Sequence, residues 1–161
     1  MSTFANDQEK LVSLLKQKGL HISFAESCTA GLAAATLVEV SGASAVFDAS
    51  FVTYANEAKI RYAHVSPETL GKYGAVSEQT AGEMASGAAR AARADIGVGI
   101  SGIAGPDGGT PEKPVGTVCF GFSILGKTET VTMRFGDLGR AGIRAAAVRF
   151  VFSHLAEALS E

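Results

Sequence analysis

Four side chains of this sequence carry reaction chemistry at positions that could converge: Ser27, Cys28, Tyr54 and Lys59. Ser27 and Cys28 follow a short apolar run, Ile22 to Ala25, and a run with helical spacing begins at once behind them. A serine on such a strand-to-helix turn has two uses. It can cap the helix, or it can attack a carbonyl carbon while free backbone N–H groups receive the oxyanion. The hydroxyl needs a base for that attack. Histidine is the usual one, but His21, His64 and His154 all stand in contexts without a catalytic signal. A lysine serves if burial or a neighbouring cation lowers its pKa from about 10.4 to about 7–8. Tyr54 and Lys59 follow the next apolar segment, so they can reach the same end of a sheet as Ser27. The plainer readings stay open here: Tyr54 as a half-buried strand residue, Lys59 as a solvated helix charge. Cys28 is the stronger intrinsic nucleophile, yet it is expected to point into the sheet as a small buried hydrophobe.

A second chemical signal is the stretch 102–116, which holds three of the four prolines and five of the nineteen glycines. Glycines stiffened by prolines make a shaped loop rather than a floppy linker. It leaves the end of an apolar strand, where open α/β sheets bind ligands, and its N–H groups can form an anion-binding concavity. Gly97-Val98-Gly99-Ile100-Ser101-Gly102 fits the dinucleotide pattern G-x-G-x-x-G, but it lies inside the strand and opens no helix. The P-loop pattern fails too, because no Lys-Ser or Lys-Thr closes the glycines.

The elements that must position these groups follow from caps and periodicity. Asn6 or Asp7 caps a first helix that Gly19 ends. His21 to Ala25 reads as a buried strand, Cys28 to Val40 as an apolar, alanine-rich helix, and Ser50 to Tyr54 as a second strand. Asn56 to Ala63 is a short helix. Ser66-Pro67 opens another, closed by Gly74, and Ser77 caps a longer one through about Arg93. Asp95 to Ser101 is a third, central strand. Val115 to Ile124 and Thr128 to Phe135 form a hairpin around Gly126, and a last helix runs from about Arg140 to Leu159. The alternation predicts an α/β fold, a three-layer α/β/α sandwich with a mixed, mostly parallel sheet of about five strands.

The 161 residues form one domain by size, 1–161, and 47% of them are hydrophobic. Formal net charge is −2 with no basic block, which argues against nucleic acid as principal partner. No run is long enough to span a membrane, and the polar N-terminus does not read as a secretory signal. Cys28 and Cys119 lie far apart and, with three scattered histidines, make no metal-ligand spacing. The expectation is a cytoplasmic protein with free thiols, no metal and no cofactor.

Ala25-Glu26-Ser27-Cys28-Thr29-Ala30-Gly31, Phe51 to Lys59, Gly74-Ala75-Val76-Ser77-Glu78, Ser101 to Thr110 and Lys113 to Val118 occur in this order. With them the chain resembles the CinA C-terminal domain family, in its stand-alone PncC type of nicotinamide-nucleotide amidase. The resemblance covers nearly the whole chain. It implies deamidation of nicotinamide mononucleotide to nicotinate mononucleotide and ammonia without a metal, in pyridine nucleotide salvage. It also implies an α/β/α sandwich and a homo-oligomer, most simply a dimer. Carried over by motif, Ser27 is the nucleophile through an acyl-enzyme, and Tyr54 with Lys59 activates it. Thr29, Ser101, Gly102 and Gly105 line the substrate pocket, and an arginine at the start of the last helix completes it. The oxyanion is expected at the N–H groups that open the Cys28 helix.

The chain departs from the family pattern at two places. Ala30 stands where members have Gly, and the stretch 136–140 is longer than the usual Gly-Asp-Arg, so that Arg140 is the match. Arg140 and Arg144 are spaced i, i+4 at a helix N-terminus, where cations oppose the macrodipole at about 0.3–1 kcal/mol each. An anion would offset that, either Asp137 or a substrate phosphate suited to a planar guanidinium. Two other readings remain at this point: a non-catalytic nucleotide-binding or regulatory module, and an amidase that uses Cys28.

Overall fold

The computed structural model describes residues 5–161. The chain runs α1 (Asp7–Lys18), β1 (Ile22–Glu26), α2 (Leu32–Val38), β2 (Phe51–Val52), α3 (Asn56–Ala63), α4 (Pro67–Tyr73), α5 (Glu78–Ala92), β3 (Ile96–Gly102), β4 (Thr117–Ile124), β5 (Lys127–Arg134) and α6 (Gly139–Ala158). The five strands form one sheet in the order β2-β1-β3-β4-β5. Helices α1, α2 and α6 cover one face, while α5 covers the other and carries α3 and α4. This is the expected three-layer sandwich.

The expected direction of the sheet needs correction. It is mixed but not mostly parallel: β1 pairs parallel with β2 and β3, whereas β3–β4 and β4–β5 are antiparallel. A parallel neighbour needs a crossover, usually a helix. The glycine–proline loop brings the chain straight back beside β3, so β4 reverses. The β4–β5 turn then uses Leu125 at φ 51° and Gly126 at φ 84°, the left-handed pair of a two-residue hairpin.

Local signals fixed the start of three of the six α-helices. Asn6 accepts from the Glu9 N–H, Ser66 from Glu68 and Thr69, and Ser77 from Thr80. Two elements are shorter than expected. The helix read from Cys28 begins only at Leu32, after a turn with Ala30 at φ 47° and Gly31 at φ 94°. The strand read over Ser50–Tyr54 keeps only Phe51 and Val52 in register with Ala25 and Glu26.

Strand alternation gives the two faces different bulk. Towards α1 and α6 point Phe24, Val98, Ile100, Phe120 and Phe122, packed with Leu11, Leu15, Val151 and Phe152. Towards α5 the same strands present Ser23, Ala25, Gly97, Gly99, Gly121 and Ser123. A Cβ at Gly99 would run into the Ala81 carbonyl, and one at Gly87 into the Ala63 carbonyl. Helix α5 therefore lies directly on the sheet, and α3 directly on α5.

Candidate active site

The alternation of β1 continues one residue past its end on each side. Ser27 keeps the parity of Ser23 and Ala25 and turns to the side of α3, while Cys28 keeps that of Phe24 and Glu26 and joins the core on the α6 side. The backbone there is held in the sheet by a 2.9 Å bond from the Ser27 N–H to the Ile100 carbonyl.

Lys59 enters from α3. Its Nζ donates to the Thr53 carbonyl at 2.8 Å and to the Tyr54 carbonyl at 2.9 Å, and lies 3.0 Å from Ser27 Oγ. The ammonium is almost fully buried, at 1% exposure. That explains the short β2: the carbonyls of Thr53 and Tyr54 serve Lys59 instead of a strand partner. Burial lowers the Lys59 pKa to about 8, against a small upward effect of Cys28. A neutral amine has two N–H bonds and one lone pair. With both N–H groups spent on the two carbonyls, the lone pair is left facing the Ser27 hydroxyl.

The same burial disarms Cys28. It pushes the thiol up to about 11, against the pull of its own N–H, the Arg144 guanidinium and the Gly102 N–H. A thiol protonated at neutral pH is neither a good nucleophile nor a good metal ligand.

Glu26 is the group that sequence reasoning did not single out. Its carboxylate is fully buried, accepts from Thr29 Oγ1 at 2.6 Å and Ala33 N at 2.8 Å, and takes a longer bond from Ala34 N at 3.2 Å. A charge buried this way persists only with such partners. The N–H groups of Ala33 and Ala34 that open α2 are thereby used up, so within the stretch expected to receive an oxyanion it is the turn starting at Cys28, and not α2 itself, that can do so. Thr29 is likewise committed to Glu26 and does not line the cavity. A glutamate ending an otherwise apolar strand was the available signal. From the other side, Arg144 donates to the carbonyls of Cys28 and Thr29 at 2.9 and 3.0 Å. Glu26 thus ties the turn to α2 through the Thr29 hydroxyl and the N–H groups of Ala33 and Ala34, while Arg144 holds the turn by its carbonyls.

A cavity of about 230 Å³ opens over Ser27, bounded by Tyr54, Gly102, Gly105, Asp107 and Arg140. Gly105 sits at φ 79°, and a Cβ there would press on Val115 at 2.5 Å. Arg140 donates to the Gly105 carbonyl at 2.7 Å and to the Tyr54 hydroxyl at 3.2 Å. Tyr54 therefore meets Lys59 through its carbonyl, and its phenol faces Arg140 rather than Ser27. Ser101 is buried at 1% exposure and lies behind the wall instead of on it. Of the expected residues, Ser27, Tyr54, Lys59, Gly102, Gly105 and Arg140 come together. A larger cavity, about 830 Å³, lies between α5 and the open face of β5 and contains none of them.

Residues 5–159 match the CinA C-terminal domain. A nicotinamide-nucleotide amidohydrolase PncC from Escherichia coli strain K12 is 52% identical over 150 residues, 91% of this chain and 89% of that protein. A CinA-like protein from Kosmotoga olearia is 51% identical over 152 residues, 94% of this chain but 37% of its own length. The chain thus spans little over a third of that longer relative. The crystal structure of a competence/damage inducible protein from Agrobacterium tumefaciens superposes with a TM-score of 0.91 at 46% identity, covering all of both chains. Among the described residues, no helix is long and apolar enough to cross a membrane.

Proposed function

The chain belongs to the CinA C-terminal domain family, and from that premise we propose that it hydrolyses the carboxamide of nicotinamide mononucleotide to nicotinate mononucleotide and ammonia. Ser27 Oγ attacks the amide carbon as neutral Lys59 takes the hydroxyl proton. The oxyanion is received by the N–H of Cys28, the residue after the nucleophile, and by that of Gly102; both already favour negative charge at the neighbouring sulfur. Collapse breaks the C–N bond, and the leaving nitrogen takes its proton from Lys59, departing as ammonia. Water then attacks the ester, giving a proton back through Lys59 to Ser27 as nicotinate mononucleotide leaves. Tyr54 and Arg140 form the wall against which the ring is held.

One observation carries this reading: Lys59 Nζ lies 3.0 Å from Ser27 Oγ while two carbonyls fix its other bonds. A structural lysine has no need of a serine partner aimed into a cavity. Ammonia release from the mononucleotide is the direct test. Ser27→Ala and Lys59→Met should each lose roughly 10³-fold or more in kcat, since groups that act as a unit fail together. Turnover retained in Ser27→Ala would remove the serine mechanism.

A further inference from the structure

On the α5 side of the sheet two hydroxyl groups, those of Ser23 and Thr53, are buried without a hydrogen-bond partner among the described residues. A buried hydroxyl left unpaired costs free energy, and one that persists calls for a state in which it is paired. The two differ in where they lie. Ser23 stands near the far end of β1, opposite Gly97 of β3. Thr53 extends by one step the register that sets Ala25 against Phe51 and Glu26 against Val52, which brings it beside Ser27. Its N–H donates to the Glu26 carbonyl at 2.8 Å. Its side chain shares the face of Phe51, which packs with Ala25 and Ala63. Lys59 Nζ lies 2.8 Å from the Thr53 carbonyl oxygen, so this unpaired hydroxyl belongs to a residue that already holds the base.

Resting on the amidase reading above, we propose that Thr53 is a positioning residue whose hydroxyl oxygen accepts a hydrogen bond from the Lys59 ammonium while Ser27 Oγ is bonded to the substrate carbon. In the free enzyme a protonated Lys59 has three N–H bonds and three acceptors: the carbonyls of Thr53 and Tyr54, and Ser27 Oγ. Thr53 Oγ1 is not needed there. The attack changes that count. The Ser27 O–H bond breaks, its proton joins the Nζ lone pair, Oγ bonds the amide carbon, and the carbonyl pair moves to the oxygen. Oγ, now bonded to two carbons, is a poorer and more crowded acceptor, so the third N–H loses its place. Thr53 Oγ1 supplies one until the leaving nitrogen takes that proton and the C–N bond breaks. The same bond forms again when water attacks the ester and Lys59 once more holds a proton. An interaction made only at these stages lowers the barriers without tightening substrate binding. The free enzyme keeps the hydroxyl unpaired, at some loss of stability.

Thr53→Val keeps the shape and removes the hydroxyl, so its effects on stability and on rate should part. Tm should rise by about 2–4 °C, because an unpaired polar group leaves the interior. For the mononucleotide, kcat should fall about 10- to 100-fold, the worth of one hydrogen bond to a charged group, with KM little changed. The acid limb of kcat/KM near pH 8 should stay in place, since the free enzyme makes no bond to Thr53 Oγ1. Thr53→Ser should recover most of the rate, and Ser23→Ala, which removes the distant hydroxyl, should leave kcat unchanged. A fall of Tm and kcat together in Thr53→Val, a shifted limb, or an equal loss of kcat in Ser23→Ala would overturn the proposal. Nitrophenolate release from p-nitrophenyl acetate, counting only the part that Ser27→Ala abolishes, separates the two readings. A Thr53→Val loss on this ester, with no ammonia from the mononucleotide in the wild type, would keep the positioning role and sink the amidase. Ammonia release by the wild type with no Thr53→Val loss on either substrate would do the reverse. No Ser27-dependent release from either substrate would overturn both.

Discussion

On the α1 and α6 side of the sheet, five large side chains from three strands, Phe24, Val98, Ile100, Phe120 and Phe122, meet the helices. On the α5 side the same strands offer glycine, alanine and serine, and the core cluster there is Ala25, Ala63, Val65, Met84 and Ala88. The first face removes much apolar area from water, at roughly 1.5–3 kcal/mol for each large side chain. The second gains less of that but permits close approach. Its thin layer brings α5 onto the strands and α3 onto α5, which places Lys59 beneath the end of β1. Bulk and chemistry are thus divided between faces. The division runs between neighbours, since Cys28 goes to the bulky side and Ser27 to the thin one.

Two substitutions should rank oppositely on stability and on rate. Phe120→Ala hollows the bulky face and should cost about 3–5 kcal/mol in denaturant unfolding. Its folded fraction should keep kcat, because no contact to Ser27 or Lys59 changes. Gly87→Ala sits in α5, where helix propensity alone would favour alanine by about 1 kcal/mol. The overlap with the Ala63 carbonyl reverses that sign, and overpacking costs typically about 1–3 kcal/mol. The strain is relieved by moving α3 off α5, and a misplacement on the order of 1 Å can cost about 10²-fold in rate. Equal kcat in both variants would mean that the thin face does not set the geometry of Lys59.

That division was only partly legible beforehand. Asn6, Ser66-Pro67 and Ser77 announced their helices because a cap acts within its own turn. Ser27 and Lys59 were placed at one sheet edge because each follows an apolar strand. The start of α2 was not legible, since Glu26 reaches forward to Ala33 and Ala34 and displaces the helix N-terminus beyond the turn. Nor was the reversal at β4, which depends on how a loop rather than a helix returns the chain. Thr29 and Ser101 carried motif identity but turn to Glu26 and into the wall. The phenol of Tyr54 has its partner 86 residues away on Arg140, a pairing that no spacing in the sequence encodes.

Burial acts on both sides of the division, and a pH profile separates its effects. Removing water disfavours whichever form is charged, so it lowers Lys59 to about 8 and raises Cys28 to about 11. The lysine is thereby made available as a base and the thiol is made inert. At pH 7 about a tenth of Lys59 is neutral, so kcat/KM should rise about tenfold from pH 6 to 7 and level off above about pH 8. The neutral form is the active one, which fixes the sign: activity is lost as pH falls. Cys28→Ser should keep the same limb. A profile already flat below pH 7 would exclude Lys59 as the base, and a limb that moves in Cys28→Ser would return the thiol to the reaction.

The smallest expected effect lies in the turn that joins the two faces. Ala30 is exposed and left-handed at φ 47°, a conformation that costs an L side chain roughly 1–2 kcal/mol. Glycine removes that cost but gives the unfolded chain more freedom, which returns part of it. Ala30→Gly should therefore stabilise by about 0.5–1 kcal/mol, a rise of about 1–4 °C in Tm. Because Glu26 and Arg144 hold the turn from opposite sides, its geometry should survive the change and kcat should not move. A lower Tm would mean that the freedom gained by the unfolded chain outweighs the left-handed penalty. A higher Tm with a fallen kcat would mean that the methyl group, rather than the two charged anchors, keeps Ser27 aimed at Lys59.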